Sequence, residues 1–256
     1  MYFNGASCDI YIGQGAGKKL MEELREAQKS IKIVSPYLSP SMVKELIDSK
    51  ARNPNLEIQL ITTNEIEDFY GSYEKNIYKL IVQNRHLDSQ AEVQRNRWKR
   101  ISKVLLIVTI GLALLEYSAI LFAKDWRLIF GFIPIIILSI ALLIYKSKIN
   151  NKRIYKYSYS QAFPFKVYLS RKETGNPDDA LVHSKIYLID DRVAYLGSLN
   201  FTRSGTTLNY ETRIRTTDRN AITKMNDEYF ELFHNSDFPE KDIQDWGRSL
   251  YKEPIN

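Results

Sequence analysis

Cysteine is nearly absent. Cys8 is the only one in 256 residues, so no disulfide can close within the chain. That excludes a small disulfide-stapled scaffold and fits a reducing compartment, with Cys8 itself expected as a small buried hydrophobe. Histidine is scarce as well: there are three, and neither His86 nor His234 has neighbours at metal-ligand spacing. The opening Met1-Tyr2-Phe3-Asn4-Gly5 lacks a basic region followed by an apolar stretch, so no signal peptide is expected there. Internal repeats and low-complexity tracts are missing too. Acidic residues are in modest deficit, 30 against 36 Lys and Arg, for a net charge of +6. Such a balance suits nucleic acid, an anionic membrane face or a phosphorylated substrate, and does not choose among them.

What is present divides into three parts, expected at 1–97, 98–148 and 149–256. In the first, Asp9-Ile10-Tyr11-Ile12, Ile31-Lys32-Ile33-Val34 and Glu57-Ile58-Gln59-Leu60-Ile61 read as strands. Between them, Leu20, Met21, Leu24 and Ala27, then Met42, Leu46 and Ile47, recur at helical spacing. Strand alternating with helix predicts an α/β domain, a mixed sheet flanked by helices. Gly13-Gln14-Gly15-Ala16-Gly17-Lys18-Lys19 fails the phosphate-loop spacing, because Ile12 stands where the first glycine belongs and Lys19 where Ser or Thr belongs. It reads as a turn. The stretch from Asp68 to Arg100 reads as helix, through Ile77, Leu80 and Ile81.

The middle part is apolar. Val104 to Ala123 and Leu128 to Tyr145 are each about long enough to cross a bilayer, and Ile135-Ile136-Ile137-Leu138 shows no polar stripe of the kind a soluble hairpin needs. A two-helix transmembrane hairpin is therefore expected over residues 104–145. Arg95, Arg97, Lys99, Arg100 and Lys103 precede it, and Lys146, Lys148, Lys152 and Arg153 follow, which predicts that both flanking parts face the cytoplasm. Trp126 and Tyr145 fit interfacial anchors. Glu116 inside the first span has two readings: a polar contact between helices of an oligomer, or a carboxylate reaching the far surface.

The chemistry concentrates in the third part, from His183 to Asn200. Two β-like runs flank Asp190-Asp191, and a two-residue turn there would pair Ile189 with Arg192 and set His183 opposite Ser198. His183, Lys185, Ser198 and Asn200 would then share one face, with Ile186, Leu188, Val193 and Tyr195 on the other. An imidazole able to attack phosphorus, beside an ammonium and an amide able to hold non-bridging oxygens, is a set suited to phosphoryl transfer without a metal.

The same residues match, position for position, the H-x-K-x4-D-x6-G-S-x-N motif, and the chain resembles the phospholipase D superfamily. Ala27 to Leu38, Phe201-Thr202 and Asn209-Tyr210-Glu211 resemble its flanks, leaving the two apolar stretches as an insertion. The resemblance implies a phospholipase D-like fold and a phosphodiesterase needing no cofactor. His183 would be the nucleophile, Lys185 and Asn200 would grip phosphate, Glu211 would orient the imidazole and Ser198 would support the network. Asp190 and Gly197 are motif positions expected to be structural. Arg203, Arg213 and Arg215 lie near enough in sequence to contact a polyanion. The family chemistry uses two histidines, yet no second motif exists here, so a homodimer pairing two copies of His183 is implied. Short single-motif relatives are often nucleases, which makes nucleic acid the expected substrate. A phospholipid-directed phosphatidyltransferase and an inactive membrane-bound nucleic-acid-binding protein are the alternatives. Lys152 to Tyr159 interleaves basic and aromatic groups, fitting either a phosphate backbone or an anionic lipid surface.

Overall fold

A computed structural model describes residues 4–64, 80–169, 174–175 and 181–255. The chain forms two compact units, Met1–Gln83 with Tyr159–Tyr251, and Asn84–Ser158 with Lys252–Asn256.

The first unit is built on a seven-stranded mixed sheet of order β1-β9-β8-β7-β2-β3-β6. In chain order, β1 (Asp9–Gln14), α1 (Lys18–Glu26), β2 (Ser30–Val34), α2 (Pro40–Arg52) and β3 (Glu57–Thr63) come from the N-terminal part. Strands β2 and β3 run parallel, as a strand–helix–strand crossover requires. Ile31, Ile33, Val34, Ile58, Leu60 and Ile61 are all buried, because this part of the sheet is covered on both faces. Helices α1 and α2 pack on the Ile31 side through Met21, Leu24 and Leu46.

The C-terminal part supplies β6 (Phe165–Tyr168), β7 (Ile186–Ile189), β8 (Val193–Gly197) and β9 (Tyr210–Thr216). Strand β6 continues the parallel side beside β3, whereas β7 joins β2 antiparallel and leads through β8 and β9 to β1. One sheet is thus shared between sequence segments lying on either side of the apolar part. Of the helices, α5 (Arg203–Thr207) is a single short turn next to the motif, and α6 (Arg219–Phe233) covers the second face. Its Ile222, Tyr229 and Phe233 close over Val34, Ile61, Leu188 and Ala194. Each fully buried aliphatic or aromatic side chain contributes roughly 1.5–3 kcal/mol. Helix α7 (Ile243–Leu250) adds Trp246, edge-on to Phe165.

The second unit contains α3 (Ser89–Ala123) and α4 (Phe132–Asn151), with a 3-10 segment, Trp126–Gly131, between them. Both helices are long and apolar enough to cross a membrane. Their apolar side chains stand exposed, Phe122 at 90% and Ile107 at 70%, where a soluble core hairpin would bury them. Lys124 ends α3 in the left-handed conformation, and Asp125 accepts from the backbone N–H of Arg127 at 2.9 Å. Glu116 lies against Gly131, where an added Cβ would come within 2.2 Å of the carboxylate. Its contact is therefore within the hairpin, a third arrangement beside the two expected, and Oε1 is buried there without a hydrogen-bond partner.

Two expectations need correction. Among the described residues, the helix expected over Asp68 to Arg100 is present only from Ser89, since Ile81–Leu87 is a strand, β4, paired with β5 (Tyr155–Gln161) as a two-stranded ribbon. Within that ribbon the branched Ile81 and Val82 and the polar Gln83, Asn84 and exposed Arg85 suit a pleated surface better than a helix face; Ile77 lies outside the described residues. Cys8 is exposed, because it stands just before the edge strand β1, most of whose residues are uncovered.

Candidate active site

The site begins with the turn between β7 and β8. Their register pairs Ile189 with Val193 and Ile186 with Leu196, one residue away from the register a two-residue turn would give. The turn holds three residues, Asp190, Asp191 and Arg192, the first two left-handed at φ 54° and 52°. The extra residue moves Val193 and Tyr195 onto the face of Tyr187, away from Leu188, which pairs with Ala194 against α6. Both faces are buried, so hydrophobic alternation could not reveal the register.

Asp190 explains the turn. Its carboxylate accepts the backbone N–H groups of Gln28, at 3.0 Å, Lys29, at 2.7 Å, and Ser30, at 3.0 Å, while its own N–H donates to the Ser30 carbonyl at 2.8 Å. Burial works against the charged form, but these three donors outweigh it and hold the carboxyl below the usual aspartate range. The aspartate of the motif pins the hairpin to the start of β2.

His183 and Lys185 lie in the extended segment just before β7, not in the ladder. Lys185 is 8% exposed, and His183 is exposed. The Lys185 ammonium donates to the His183 carbonyl at 2.7 Å and lies 3.2 Å from both ring nitrogens. Burial lowers the pKa of Lys185, and the charge of Glu211 partly restores it.

Beyond β8 the backbone approaches β9 closely. An added Cβ on Gly197 would lie 2.0 Å from the Thr212 carbonyl oxygen, so only glycine fits. This contact brings Ser198 against β9: its N–H donates to the Thr212 carbonyl at 3.0 Å, and its hydroxyl accepts from Thr212 N–H at 3.0 Å while donating to Glu211. The other Glu211 oxygen takes the Asn209 amide at 3.2 Å. Glu211 thus holds Ser198 and Asn209, and within one chain the hydrogen bonds of the His183 imidazole go to Lys185. Among the described residues of a single copy, Glu211 meets Ser198 and Asn209 and not the His183 imidazole.

Asn200 follows with its side-chain oxygen buried and unpartnered. An amide turned through 180° would offer a donor at the same place, so this is an open polar position in the site. The segment carrying it is fixed by residues that the motif does not mark. Ser35 accepts from the Phe201 N–H at 2.9 Å, and the buried Tyr187 hydroxyl donates to the Leu199 carbonyl at 2.8 Å. Sequence reading marked neither, although Ser35 directly after β2 was the available signal. Gly17 completes the support: its absent side chain would lie 2.5 Å from the Thr206 Cα, so the glycine-rich turn lets α1 approach α5 closely.

Of the three arginines expected to meet a polyanion, only Arg203 is exposed. Arg213 donates to the Ala16 carbonyl at 2.8 Å and lies over the Tyr11 and Tyr195 rings, at 5.3 and 5.5 Å. Arg215 grips Glu23 through Nε and Nη2, at 3.2 and 2.8 Å, and reaches Asp9 at 3.4 Å. These contacts arise because β9 carries both arginines between β1, β8 and α1.

A family model described as the phospholipase D-like domain of cardiolipin synthase matches residues 135–233, which include every residue from His183 to Glu211. Over those residues the chain is similar to the phospholipase D-like domain. Three solved structures are similar to it. NucT from Helicobacter pylori is 13% identical with TM-score 0.49, covering 93% of this chain and 100% of its own. Nuc from Salmonella typhimurium, a phospholipase D family member, is 12% identical with TM-score 0.44, covering 92% and 99%. The phosphatidylserine synthase of Haemophilus influenzae Rd KW20 is 13% identical with TM-score 0.44, covering 99% of this chain and 44% of its own. No curated protein matches the chain in sequence.

Proposed function

We propose that this chain is a membrane-anchored, metal-independent phosphodiesterase that cleaves DNA or RNA at an active site shared by two copies. The observation that carries the proposal is the convergence of His183, Lys185, Ser198 and Glu211, with the motif's Asn200 offering a buried, unpartnered amide. In this reading an imidazole nitrogen of His183 attacks phosphorus, forming an N–P bond as the P–O bond to the leaving nucleoside breaks. Lys185 and Asn200 hold the non-bridging oxygens, where the negative charge stays. The second copy's His183 protonates the leaving oxygen, then takes a proton from the water that hydrolyses the phosphohistidine. One copy alone has no second motif to fill that role, and a twofold axis through the site would supply it. The two apolar helices would hold the unit at a bilayer with both flanks on the cytoplasmic side, as the basic residues at both outer ends suggest.

Full-length protein, purified in non-ionic detergent with chelator present, should cleave single-stranded DNA or RNA. His183→Ala should abolish turnover while leaving the melting temperature unchanged. Acid-labile, alkali-stable phosphate on His183 should accumulate during turnover. Full activity from a monomer would refute the shared site.

A second reading, phosphatidyl transfer between lipids, is favoured by the description of the matching family model and by the apolar hairpin. Release of headgroup from phospholipid, with nucleic acid left intact, would select it.

A further inference from the structure

We propose that the base of the apolar hairpin is a binding site for the phosphate headgroup of anionic phospholipid, distinct from the candidate active site. The inference rests on the reading that α3 and α4 enter a bilayer. Between residues 93 and 115 and between 126 and 172 the sequence has no acidic residue, yet basic ones crowd the ends of both helices. Among the described residues, Arg97, Lys99, Arg100, Lys103, Lys148 and Lys152 form no ion pair with any carboxylate. The two helices are tied at this level, where Arg95 Nε donates to the Ile149 carbonyl at 3.2 Å.

The cations are placed around aromatic rings. Lys148 Nζ lies 6.0 Å from the Trp98 ring centre and 5.7 Å from that of Tyr145, and Lys152 Nζ lies 5.7 Å from Trp98. An open cavity of about 680 Å³ adjoins them, lined by Arg97 and Lys152 together with Gln90 and Gln94. The acidic residue in the lining, Asp88, is occupied: it caps α3 at Ala91 N–H, 3.0 Å, and pairs with Lys156 at 2.9 Å. What remains is a positive, amide-lined recess with a tryptophan at its edge. Its position fits a headgroup layer. From Arg97 to Lys103 the helix rises about 9 Å, close to the roughly 5–8 Å of polar headgroup on one side of a bilayer. The apolar run starts at the next residue, Val104. Tyr145 closes the second apolar stretch at the edge of the hydrocarbon, where amphipathic rings gather, and Trp98 lies among the cations of the headgroup layer. An anionic lipid satisfies both halves of this surface: acyl chains along the helices, phosphate among the cations. A nucleic-acid strand would use only the cations.

The test uses full-length protein in non-ionic detergent and a fluorescent short-chain phosphatidylglycerol, followed by anisotropy. Tight binding to phosphatidylglycerol over phosphatidylcholine is expected. Neutralising Arg97→Gln, Lys148→Gln and Lys152→Gln together should weaken it about 100-fold, roughly fivefold for each basic residue at a membrane surface. A variant keeping the charge, Lys148→Arg with Lys152→Arg, should retain the preference, and it decides the matter if the triple variant does not fold. Equal affinity for both lipids, or no loss in a folded triple variant, overturns the proposal. So does displacement of the lipid by inorganic phosphate, or by an oligonucleotide at lower concentration than phosphatidylglycerol itself. Carbonate extraction of membranes separates the two layers of the argument. Protein that stays with the membrane but shows no lipid preference sinks this site alone; protein released by carbonate sinks the membrane-spanning reading.

Discussion

The motif aspartate gives the sharpest test of how the site is held. Asp190 is 9% exposed and accepts three backbone N–H groups, from Gln28, Lys29 and Ser30. Replacement by Asn keeps the shape and suits the left-handed backbone at φ 54°, so it isolates the hydrogen bonding from conformational strain. An amide oxygen in the Oδ1 position still accepts from Lys29 and Ser30, now without charge, but its NH2 group faces the Gln28 N–H, donor against donor. Losing one charge-assisted bond and weakening two costs about 2 kcal/mol, or ~4–8 °C of melting temperature for a domain of this size. Asp190→Ala removes all three acceptors and adds strain at positive φ, for about 4–5 kcal/mol. The carboxyl pKa is lower folded than unfolded, so its stabilisation is complete above about pH 4 and is lost as pH falls through the folded value. Melting of full-length protein in detergent from pH 7 to 3 should therefore show the wild-type advantage over Asp190→Asn shrinking below about pH 4. A gap that stays constant with pH would refute the reasoning. So would an Asp190→Asn protein that melts like wild type but has lost turnover, which would make the aspartate chemical and not structural.

Four further outcomes are expected. Gly197→Ala should lower the melting temperature by about 2–4 kcal/mol equivalent, because its Cβ would meet the Thr212 carbonyl at 2.0 Å and force β8 from β9; an unchanged melt would mean the strands separate without cost. If Lys185 must be charged, the alkaline limb of turnover should fall below the ordinary lysine value of about 10.4, as burial lowers its pKa. Glu211→Gln removes the charge that raises Lys185, so the limb should move to still lower pH, which a pH–rate profile of the residual activity reads directly. Arg215→Ala should destabilise the fold by about 1–3 kcal/mol through loss of Glu23, with KM for nucleic acid unchanged; a raised KM with an unchanged melt would return this arginine to the substrate.

Local pattern decided much about this chain. The apolar runs of β2 and β3, the helical spacing in α1 and α2, and the two long hydrophobic stretches depend only on side-chain hydrophobicity and period, so they were legible residue by residue. The motif was legible for a related reason: its types and spacings reflect the chemistry of one site. Tertiary structure decided what depends on partners distant in sequence. The register of β7 on β8 follows from Asp190 reaching back to residues 28–30, about 160 positions earlier, and both faces of that hairpin are buried, so alternation carried no signal. The strand at Ile81–Leu87 exists because β5 pairs with it across the whole length of the apolar hairpin. Arg213 and Arg215 showed no partners in the sequence, and their contacts with Ala16, Tyr11, Glu23 and Asp9 exist only because β9 places them there. A charge is assigned by its neighbours, and neighbours are a property of the folded chain.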